Sequence, residues 1–492
     1  MPERTQHSRC EYPALGSLVA GEWRGGRAGD AHVSVKNPAT GEVLARLPLC
    51  GDGDVRDALD AAEAAFRLWS STPPIERGSA LREIAKALLL HQDRLAWIIT
   101  LEEGKPLAEA RNEIAGAASA FDWMAKACDL REDRAPSSRG TQVEQRVLRS
   151  PTGVVAAFSP WNYPAALAAR KVATGLAAGC TVILKPAEET PGIWTAIGQL
   201  IEDLQVLPRG ALSVLYGDPR RISEQLIRAP VVAHVSFTGS VAVGRQLSAF
   251  AGQHMKTATL ELGGHSAVIV TGDVDHASVA SQAVKARFVN AGQVCLSPSR
   301  FYVQRECFDA FVESFVAEMN ALRVGNGSTD GTTMGPLANS RRCEAMQSLV
   351  SRAHDSGAHI AVAPLGADLH PGGNFFPPTA IVDPPPTIEA VREEIFGPIA
   401  VLAPFDTLDD AIELANSTDY GLATYAFTDS VAAMHRIQHA AQSGNVSINT
   451  FAISQPELPF GGWKDSGTGV EMGLEGLDGL TRIKSILRVN AR

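Results

Sequence analysis

The sequence has few cysteines, and they form none of the patterns typical of disulfide frameworks or metal sites. There are seven, scattered along the chain without a Cys-x-x-Cys pair. This pattern is typical of free thiols in a reducing compartment. Positive charge is also scarce, because 54 acidic residues against 44 basic ones leave a net charge of -10. A nucleic-acid-binding protein would carry a basic stripe, and this balance also disfavours binding to an anionic membrane.

Long hydrophobic runs are lacking too. The first residues are polar, without the apolar core of a signal peptide, and no apolar run approaches the roughly 20 residues that span a bilayer. We therefore expect a cytoplasmic protein with neither membrane nor nucleic acid as a partner. His435 and His439 are four residues apart, but no glutamate follows His435 as a zinc hydrolase motif requires. No metal site is expected.

Strand and helix patterns alternate over most of the chain. A length of 492 residues corresponds to roughly three domains. Residues 54–127 show helical periodicity. From residue 152, short buried strands such as Val154–Phe158 alternate with helices, and residues 266–450 repeat that style. This alternation predicts an α/β fold with parallel sheets covered on both faces. Residues 130–149 are polar and then strand-like, which indicates an excursion from the main body.

One cysteine, Cys295, lies in a setting suited to a nucleophile. It follows an amphipathic run, Ala277–Phe288, and a Gly292-Gln293 turn. We expect backbone N–H groups at such a turn to stabilise the thiolate and so to lower the pKa of the thiol. The thiolate is the reactive form of cysteine. A lone cysteine is more often a small core residue, so its surroundings in the chain decide between the two.

A glycine-containing turn follows another predicted strand. In Phe237-Thr-Gly-Ser-Val-Ala-Val-Gly244, Gly239 lets a ligand approach the backbone, and the helix that begins there favours an anion such as a pyrophosphate. The glycine spacing resembles a phosphate-binding loop of nucleotide hydrolases. However, Arg245-Gln246 replaces the lysine and the magnesium ligand of that motif. A plain helix–strand turn is the structural alternative.

Three further strand ends carry polar residues. Lys185 and Glu188 are placed to hold a ribose, and a carboxylate there repels a 2′-phosphate, which favours NAD over NADP. The asparagine of Pro160-Trp-Asn-Tyr-Pro164 sits in a loop stiffened by prolines, where its amide can stabilise an oxyanion. Glu261, next to two glycines, could activate water if it is buried. Each also has a purely structural alternative. Lys185 and Glu188 could belong to a charged loop, the asparagine to a structural turn, and Glu261 to an exposed strand end.

Seven segments occur together and in one order along the chain. Through these segments, the chain resembles the NAD(P)-dependent aldehyde dehydrogenase superfamily over residues from about Leu18 to Val489. The segments are Pro160-Trp-Asn-Tyr-Pro164, Lys185-Pro-Ala-Glu-Glu-Thr-Pro191, Phe237-Thr-Gly-Ser240, Glu261-Leu-Gly-Gly264, Gly292-Gln-Val-Cys295, Glu393-Glu-Ile-Phe-Gly-Pro398 and Pro459-Phe-Gly-Gly462. The resemblance implies an aldehyde dehydrogenase-like α/β fold with three parts. These are a Rossmann-type NAD-binding domain (1–129 and 150–260), an α/β catalytic domain (261–460) and a small β oligomerisation ribbon (130–149 and 470–492). It also implies a homodimer or homotetramer.

The resemblance assigns roles to residues of these segments. Cys295 is the expected nucleophile that forms a thioester, Asn162 the oxyanion donor and Glu261 the base for hydrolysis. The cofactor, NAD with NADP possible, is expected to contact Trp161, Lys185, Glu188, Gly239, Ser240, Gly244, Leu262, Glu394 and Phe396. The substrate pocket is expected to include Tyr163, Leu167, Arg170, Val289, Ser454 and Phe460.

Within the superfamily, the chain is most similar to succinate-semialdehyde dehydrogenases, through Leu101-Glu-Glu-Gly-Lys-Pro-Leu-Ala-Glu-Ala110, Arg170-Lys171 and Gly372-Gly-Asn-Phe-Phe376. Enzymes of that subgroup grip a carboxylate with two arginines and a serine. Arg170 matches one arginine and Ser454 the serine, but Val289 stands at the second arginine position. A small or acidic aldehyde such as a semialdehyde is therefore favoured.

Other substrates and another function class stay open. The segment Val289–Cys295 also resembles lactaldehyde and glycolaldehyde dehydrogenases, and an aromatic aldehyde is a further alternative. At Tyr163 the chain is similar to betaine-aldehyde dehydrogenases, but Arg170 would repel a cationic substrate. Outside enzymes, the chain could be a catalytically silent binding or structural module, although the cysteine, asparagine and glutamate are all present. Glu261 argues for hydrolysis of the thioester rather than transfer to coenzyme A.

Overall fold

The computed structural model describes residues 11–29, 31–130, 133–137 and 143–489. The N-terminal part combines short strands with a block of long helices. Its elements are β1 (Ser17–Val19), β2 (Glu22–Arg24), β3 (His32–Lys36), β4 (Val43–Pro48), α1 (Asp52–Trp69), α2 (Pro74–Leu90), α3 (Gln92–Glu103) and α4 (Leu107–Leu130). The helices lie where helical periodicity predicts them. Apolar side chains such as Leu81, Ile84 and Phe121 are fully buried between them, which is why these segments pack as a block.

An eight-stranded sheet follows in the chain, with strand order β2-β1-β8-β7-β6-β9-β10-β20. The central strands are parallel, and β6, β7 and β9 are buried along their whole length. The elements are β5 (Val143–Pro151), β6 (Val154–Phe158), α5 (Pro164–Ala177), β7 (Thr181–Lys185), α6 (Pro191–Leu204), β8 (Leu212–Val214), α7 (Pro219–Arg228), β9 (Val232–Thr238), α8 (Val241–Gln253) and β10 (Thr257–Glu261). The strand order reverses at β6, which lies between β7 and β9. Ligands bind at such a reversal in open α/β sheets.

A seven-stranded sheet, with order β13-β14-β15-β12-β11-β17-β18, forms the core of the next part of the chain. Only β13 is antiparallel to its neighbour. The elements are β11 (Ser266–Val270), α9 (His276–Phe288), a 3₁₀ turn (Val289–Gly292), β12 (Pro298–Gln304), a 3₁₀ turn (Arg305–Cys307), α10 (Phe308–Asn320), α11 (Ser340–Asp355), β13 (His359–Val362), β14 (Thr379–Val382), α12 (Glu389–Arg392), β15 (Ile399–Phe405), α13 (Leu408–Asn416), β16 (Tyr420–Gly421), β17 (Ala423–Phe427), α14 (Val431–Ala440) and β18 (Asn445–Ile448).

The C-terminal part returns to the first sheet and then leaves the body of the molecule. Its elements are β19 (Trp463–Lys464), β20 (Gly467–Thr468), α15 (Gly473–Gly479) and β21 (Thr481–Val489). Strand β20 joins the edge of the eight-stranded sheet beside β10. Strand β21 pairs along its whole length with β5 and forms a two-stranded antiparallel ribbon.

The predicted α/β fold class is confirmed. The ribbon of β5 and β21 coincides with two predicted segments, 130–149 and 470–492. Parts of those segments, residues 131–132, 138–142 and 490–492, lie outside the described residues. The exact domain boundaries stay a prediction. No helix among the described residues is long and apolar enough to cross a membrane.

Candidate active site

Four neighbouring strands of the first sheet place predicted site residues at or just after their carboxyl ends. Strands β7, β6, β9 and β10 are parallel neighbours, so their carboxyl ends lie side by side. Asn162 follows β6, Glu188 follows β7, Gly239 follows β9, and Glu261 is the last residue of β10. Residues predicted from separate motifs are therefore brought to one place by the strand order.

The second sheet meets this edge with the opposite ends of its strands. Chain segments just before β11, β12 and β15 contain Gly264, Cys295 and Glu394. These three strands are parallel to one another, and β10 leads into β11 through only four residues. The crevice between the sheets thus receives the thiol and a second carboxylate from one side and the cofactor-type loops from the other.

The turn before Cys295 has an unusual backbone. Asn290, Ala291 and Gly292 all have left-handed conformations, with φ values of 51°, 51° and 71°. A β-carbon on Gly292 would lie 2.4 Å from the carbonyl oxygen of Gly397. Non-glycine residues in this region are strained, so surrounding contacts must hold them there. The turn reverses the chain at the end of α9 and brings Cys295 back into the crevice.

The thiol of Cys295 has a raised pKa, contrary to the sequence-based expectation. The pKa of Cys295 is raised to about 12, mainly by burial and in addition by the carboxylates of Glu394 and Glu261. The Arg170 guanidinium and the backbone N–H of Leu296 act in the opposite direction. The expectation was wrong because backbone donors alone do not outweigh burial beside two carboxylates.

The Asn162 side chain is buried next to this turn. Its amide Nδ2 donates to the backbone carbonyl oxygen of Gln293 at 2.8 Å, while the backbone carbonyl oxygen of Asn162 accepts from Asn290 Nδ2 at 2.8 Å. Since an amide NH₂ has two hydrogens, one remains available for a ligand oxygen. Asn162 and Cys295 both line one cavity, which is the arrangement that an oxyanion hole requires.

That cavity, of about 380 Å³, gathers much of the predicted site. Predicted residues that line it are Trp161, Asn162, Leu167, Gly239, Ser240, Leu262, Cys295, Glu394 and Phe396. The rings of Trp161 and Phe396 meet edge to face, with centroids 5.7 Å apart. Their faces give the cavity an apolar wall suited to a flat ring.

Glu394 is held at the far side of this cavity by the Gly263–Gly264 turn. The N–H of Gly264 donates to Glu394 Oε1 at 2.9 Å, and a β-carbon at Gly263 would lie 2.5 Å from the same carboxylate. Burial raises the pKa of Glu394 to about 7, although the Gly264 N–H and the Arg342 guanidinium oppose this. Arg342, which the sequence analysis missed, also lines the cavity.

A second cavity of about 730 Å³ shares Gly239 with the first and contains Lys185 and Glu188. Lys185 Nζ lies 2.5 Å from Glu188 Oε1. Ser240 is the N-cap of α8, so free N–H groups at the start of this helix favour a phosphate. Gly244 does not line either cavity; a β-carbon there would lie 2.4 Å from the Leu262 side chain, so this glycine allows α8 to pack closely.

The two joined cavities fit an extended dinucleotide. One has ribose-binding side chains and a helix N-terminus, and the other has aromatic walls, a carboxylate and the thiol. Neither the Trp161–Phe396 wall nor Glu394 would be needed by a nucleotide hydrolase. A β-carbon at Gly239, which lines both cavities, would lie 2.4 Å from the Phe237 ring, so glycine allows this ring to pack against the turn.

Glu261 is buried, and neither of its carboxylate oxygens has a hydrogen-bond partner among the described residues. Burial raises its pKa well above the usual range, and Glu471 adds to the rise, while Lys171 and Arg170 lower it. Lys171 Nζ donates to Glu471. An unpartnered buried carboxylate with a raised pKa is typical of a general base or acid.

Lys171 and Glu471 were given no role by the sequence analysis. They are 300 residues apart in the chain, so no local motif connects them. Lys171 lies on α5, one residue after Arg170, and only the pairing of β20 with β10 brings the C-terminal segment alongside.

Two of the predicted substrate-pocket residues, Ser454 and Phe460, contact Arg170. Arg170 Nη2 donates to Ser454 Oγ at 2.7 Å, and its guanidinium lies 5.1 Å from the centre of the Phe460 ring. The Tyr163 ring lies beneath the ammonium of Lys105, at 3.8 Å. Val289 directly precedes the three left-handed residues and is partly exposed. Arg170 is the cation that lowers the pKa of both Cys295 and Glu261.

Among the described residues, no group of three or more His, Cys, Asp or Glu side chains is arranged to hold a metal ion.

Comparisons with known proteins identify the family of this arrangement. The family model for the aldehyde dehydrogenase family matches residues 23–486. A 4-(hydroxymethyl)benzenesulfonate dehydrogenase of Comamonas testosteroni is 44% identical, over 94% of this chain and 95% of its own length. The NADP-dependent succinate-semialdehyde dehydrogenase of Escherichia coli is 39% identical, over 95% and 96%.

Solved structures agree with these sequence matches. The crystal structure of a succinate-semialdehyde dehydrogenase from Burkholderia pseudomallei superposes with a TM-score of 0.93 at 37% identity, covering 99% of this chain and 100% of that one. The resemblance stated from the motifs is thus confirmed: the chain belongs to the aldehyde dehydrogenase family and is an NAD(P)-dependent oxidoreductase that acts on aldehydes.

Proposed function

We propose that this enzyme oxidises an aldehyde bearing a remote anionic group, such as an acidic semialdehyde, to the carboxylic acid. The observation that carries the proposal is the position of Arg170. It is hydrogen-bonded to Ser454 at 2.7 Å, and its charge acts on both Cys295 and Glu261. A substrate that places its anion on Arg170 would bring its other end to the thiol.

Cys295, Asn162 and Glu261 divide the chemistry in this proposal. The Cys295 sulfur adds to the aldehyde carbon, and the Asn162 amide with the Cys295 N–H holds the oxyanion. Bound NAD⁺, held by residues such as Phe396 and Glu394 of the same cavity, would supply the hydride acceptor. Loss of the hydride from the adduct would leave a thioester on Cys295. Glu261 then takes a proton from the water that attacks the thioester, and the acid and the free thiol are released.

The names of two relatives support an anionic substrate. One is named for a benzenesulfonate and one for succinate semialdehyde, and both compounds carry an acidic group away from the carbon that reacts. Val289 stands where the semialdehyde subgroup has a second arginine. A single guanidinium leaves room for a bulkier spacer, so an aromatic acidic aldehyde is the second candidate, favoured by the stacking of Arg170 on Phe460.

An aldehyde panel with Arg170→Met tests the substrate class. Benzaldehyde, 4-sulfobenzaldehyde, succinate semialdehyde, glycolaldehyde and betaine aldehyde would be compared through kcat/KM from NADH absorbance. Loss of a charge-assisted hydrogen bond costs about 1.5–3 kcal/mol. The ratio of anionic to neutral kcat/KM should therefore fall ~10- to 100-fold. Using the ratio cancels any effect of Arg170 on Cys295 itself.

Arg436→Met removes an exposed arginine of α14 that pairs with Asp409, and it serves as the matched control. An unchanged ratio in Arg170→Met would reject the anionic substrate class. Cys295→Ala should abolish oxidation of every aldehyde while NAD⁺ still binds; turnover in that variant would reject the nucleophile assignment.

We further propose NAD⁺ as the preferred cofactor. The Glu188 carboxylate, fixed by Lys185 and by the N–H of Gly217 at 3.2 Å, would accept from ribose hydroxyls and repel a 2′-phosphate. Glu188→Ser should raise the NADP⁺ to NAD⁺ ratio of kcat/KM by at least tenfold, about the effect of 1.4 kcal/mol. An unaltered ratio would show that another group sets the preference. A homodimer or homotetramer built through the β5–β21 ribbon completes the proposal.

A further inference from the structure

A row of buried and half-buried charged side chains lies behind the site, and none of them has been assigned a role so far. Glu109 and Glu113 are four residues apart near the start of α4, so they share one face of the helix, and Lys105 lies two residues before the helix begins. Glu103 lies beside them. The side chains of Lys105, Glu103 and Glu113 are fully inaccessible to solvent. Buried charges are costly unless every one is paired, so a structural account alone would favour apolar residues here.

Each member of this row contacts one of the two loops of the active site. Lys105 Nζ donates to the carbonyl oxygen of Asn162 at 2.8 Å and to Glu113 at 2.7 Å. Glu113 accepts from the N–H groups of Ala165 and Ala166 at 2.8 and 3.2 Å, at the start of α5. The row therefore fixes both ends of the loop that carries Asn162.

Glu109 contacts the other loop. Its Oε2 accepts from the backbone N–H of Asn290 at 2.8 Å, and Asn290 is the first of the three left-handed residues before the nucleophile. The Asn290 side chain then donates to the carbonyl oxygen of Asn162 at 2.8 Å. Through Asn290, Glu109 is linked to the same oxygen that Lys105 holds.

The two loops also hold each other. The Asn162 amide donates to the Gln293 carbonyl, and both the N–H and the side chain of Gln293 donate to the Asn290 carbonyl, at 3.0 and 3.1 Å. A shift of Asn290 would therefore move the acceptor that orients the Asn162 amide. The orientation of that amide relative to Cys295 depends on where the turn sits.

We propose that Glu109 and Lys105 are positioning residues that set the Asn162 amide against the Cys295 turn for addition of the thiol to the aldehyde. They touch neither substrate nor cofactor in this role and act only through Asn162. The inference rests on the proposed role of Asn162 as the oxyanion donor. A misplacement of about 1 Å in such a geometry can cost ~100-fold in rate.

Glu109 gives a sharper test than Lys105. The cluster holds three carboxylates and one ammonium, so removing Lys105 would leave buried carboxylates without a cation. Removing Glu109 reduces the excess of negative charge. Burial raises the pKa of Glu109 to about 7, so the side chain is partly protonated at neutral pH. Glutamine matches that protonated form in size and keeps an oxygen acceptor, whereas leucine has a similar volume and no acceptor.

Rapid mixing of enzyme and NAD⁺ with aldehyde gives two separate readouts. The amplitude of the NADH burst counts correctly folded sites, and its rate constant reports formation of the thioester. For Glu109→Leu we expect a burst rate reduced ~10- to 100-fold, with amplitude and NAD⁺ binding unchanged. Glu109→Gln should retain the burst rate within about threefold, well under 1 kcal/mol. A purely structural role would lower the amplitude and the melting temperature and leave the rate per site unchanged.

A double-mutant cycle with Asn162→Ala shows whether Glu109 acts through Asn162. Asn162→Ala should slow the burst by about 10²–10³, and adding Glu109→Leu in that background should slow it by less than about twofold, since coupled residues are not additive. Glu83→Leu, at an exposed ion pair on α2, is the control that should change nothing.

The possible results separate the two proposals. An Asn162→Ala enzyme with the wild-type burst rate would overturn the oxyanion role and the positioning role together. A slow Asn162→Ala with a wild-type Glu109→Leu burst rate would overturn only the positioning role. The same conclusion follows if Glu109→Leu has its full effect in the Asn162→Ala background, because Glu109 would then act elsewhere.

Discussion

At the scale of single residues, burial controls the ionisation of the site. It is the largest cause of the raised pKa of Cys295, of Glu261 and of Glu394. The carboxylates of Glu394 and Glu261 also raise the pKa of Cys295, because a thiolate is disfavoured beside negative charge. Arg170 is the one side chain that lowers the pKa of both Cys295 and Glu261. An arginine that binds the substrate anion would thus also favour the reactive forms of the nucleophile and the base.

Glu261 should impose a pH dependence on the hydrolytic step. Its pKa is raised, and a base must be deprotonated to act, so hydrolysis should accelerate as pH rises through the neutral to alkaline range. In Glu261→Gln, rapid mixing should show one burst of NADH followed by slow turnover without this rise. The steady-state rate across pH 6–10 is the measurement. Steady-state turnover equal to that of the wild type would exclude Glu261 as the base.

Single residues also show what the sequence could and could not reveal. Cys295, Asn162 and Glu394 stand in short motifs, and the structure brings them to one cavity. Glu471 and Glu113 stand in no such motif, and their contacts join residues 300 and about 50 positions apart. The direction of the Cys295 pKa was predicted wrongly because the sequence shows nearby backbone donors but not the depth of burial.

At the scale of elements, α6 has a distant cap in place of a local one. Its N-cap residue, Thr190, makes no capping hydrogen bond. Instead, Glu102 at the end of α3 accepts from the N–H groups of Gly192 and Ile193 at 2.6 and 3.2 Å, and Tyr12 donates to it as well. The sequence marks this helix start by Pro191, but the carboxylate that satisfies its N–H groups comes from about 90 residues earlier and could not be predicted.

Glu102 should make the stability of the fold depend on pH. Burial raises the pKa of Glu102 to about 8 despite its hydrogen bonds, so the folded state binds a proton that the unfolded chain releases near pH 4.5. Its contribution is complete below pH 4.5 and is lost as the pH rises to 8. Glu102→Gln cannot titrate, so its melting temperature should fall less between pH 5 and 8 than that of the wild type.

The control for this prediction is Glu83→Gln on α2, where the carboxylate is part of an exposed ion pair with Lys86. Scanning calorimetry at several pH values on the three proteins would give the slopes. Identical slopes in the wild type and Glu102→Gln would show that Glu102 is charged in the fold throughout this range.

At the scale of the whole molecule, the crevice exists because two sheets face each other with opposite strand ends. The alternation of strands and helices predicts both sheets, because it reflects local periodicity and burial. It does not predict that β20, a strand of two residues, closes the edge of the first sheet beside Glu261. A strand of two residues is too short to show a periodicity in the sequence. It is recognised only from its pairing with β10 in the folded chain.

The β5–β21 ribbon presents an apolar surface that a monomer would leave in water. Ile483, Leu487 and Val489 are 62%, 67% and 62% exposed, and their odd-numbered positions place them on one face of β21. An isolated two-stranded ribbon is marginally stable, and a long exposed apolar edge invites pairing with another chain. Because family members are generally oligomeric, we expect this face to pack against a second copy.

Leu487→Glu should therefore lower the mass of the assembly measured by size-exclusion chromatography with light scattering. A charge placed in an apolar interface is unfavourable unless it is paired, so a dimer would yield monomers and a tetramer would yield smaller species. Val431→Glu, at a 77% exposed valine on α14, controls for the added charge and should keep the original mass. An assembly that keeps its mass with Leu487→Glu would show that subunits associate through another surface. Because Cys295 lies in the crevice and not on the ribbon, the smaller species should keep burst amplitude per chain, which separates loss of assembly from loss of folding.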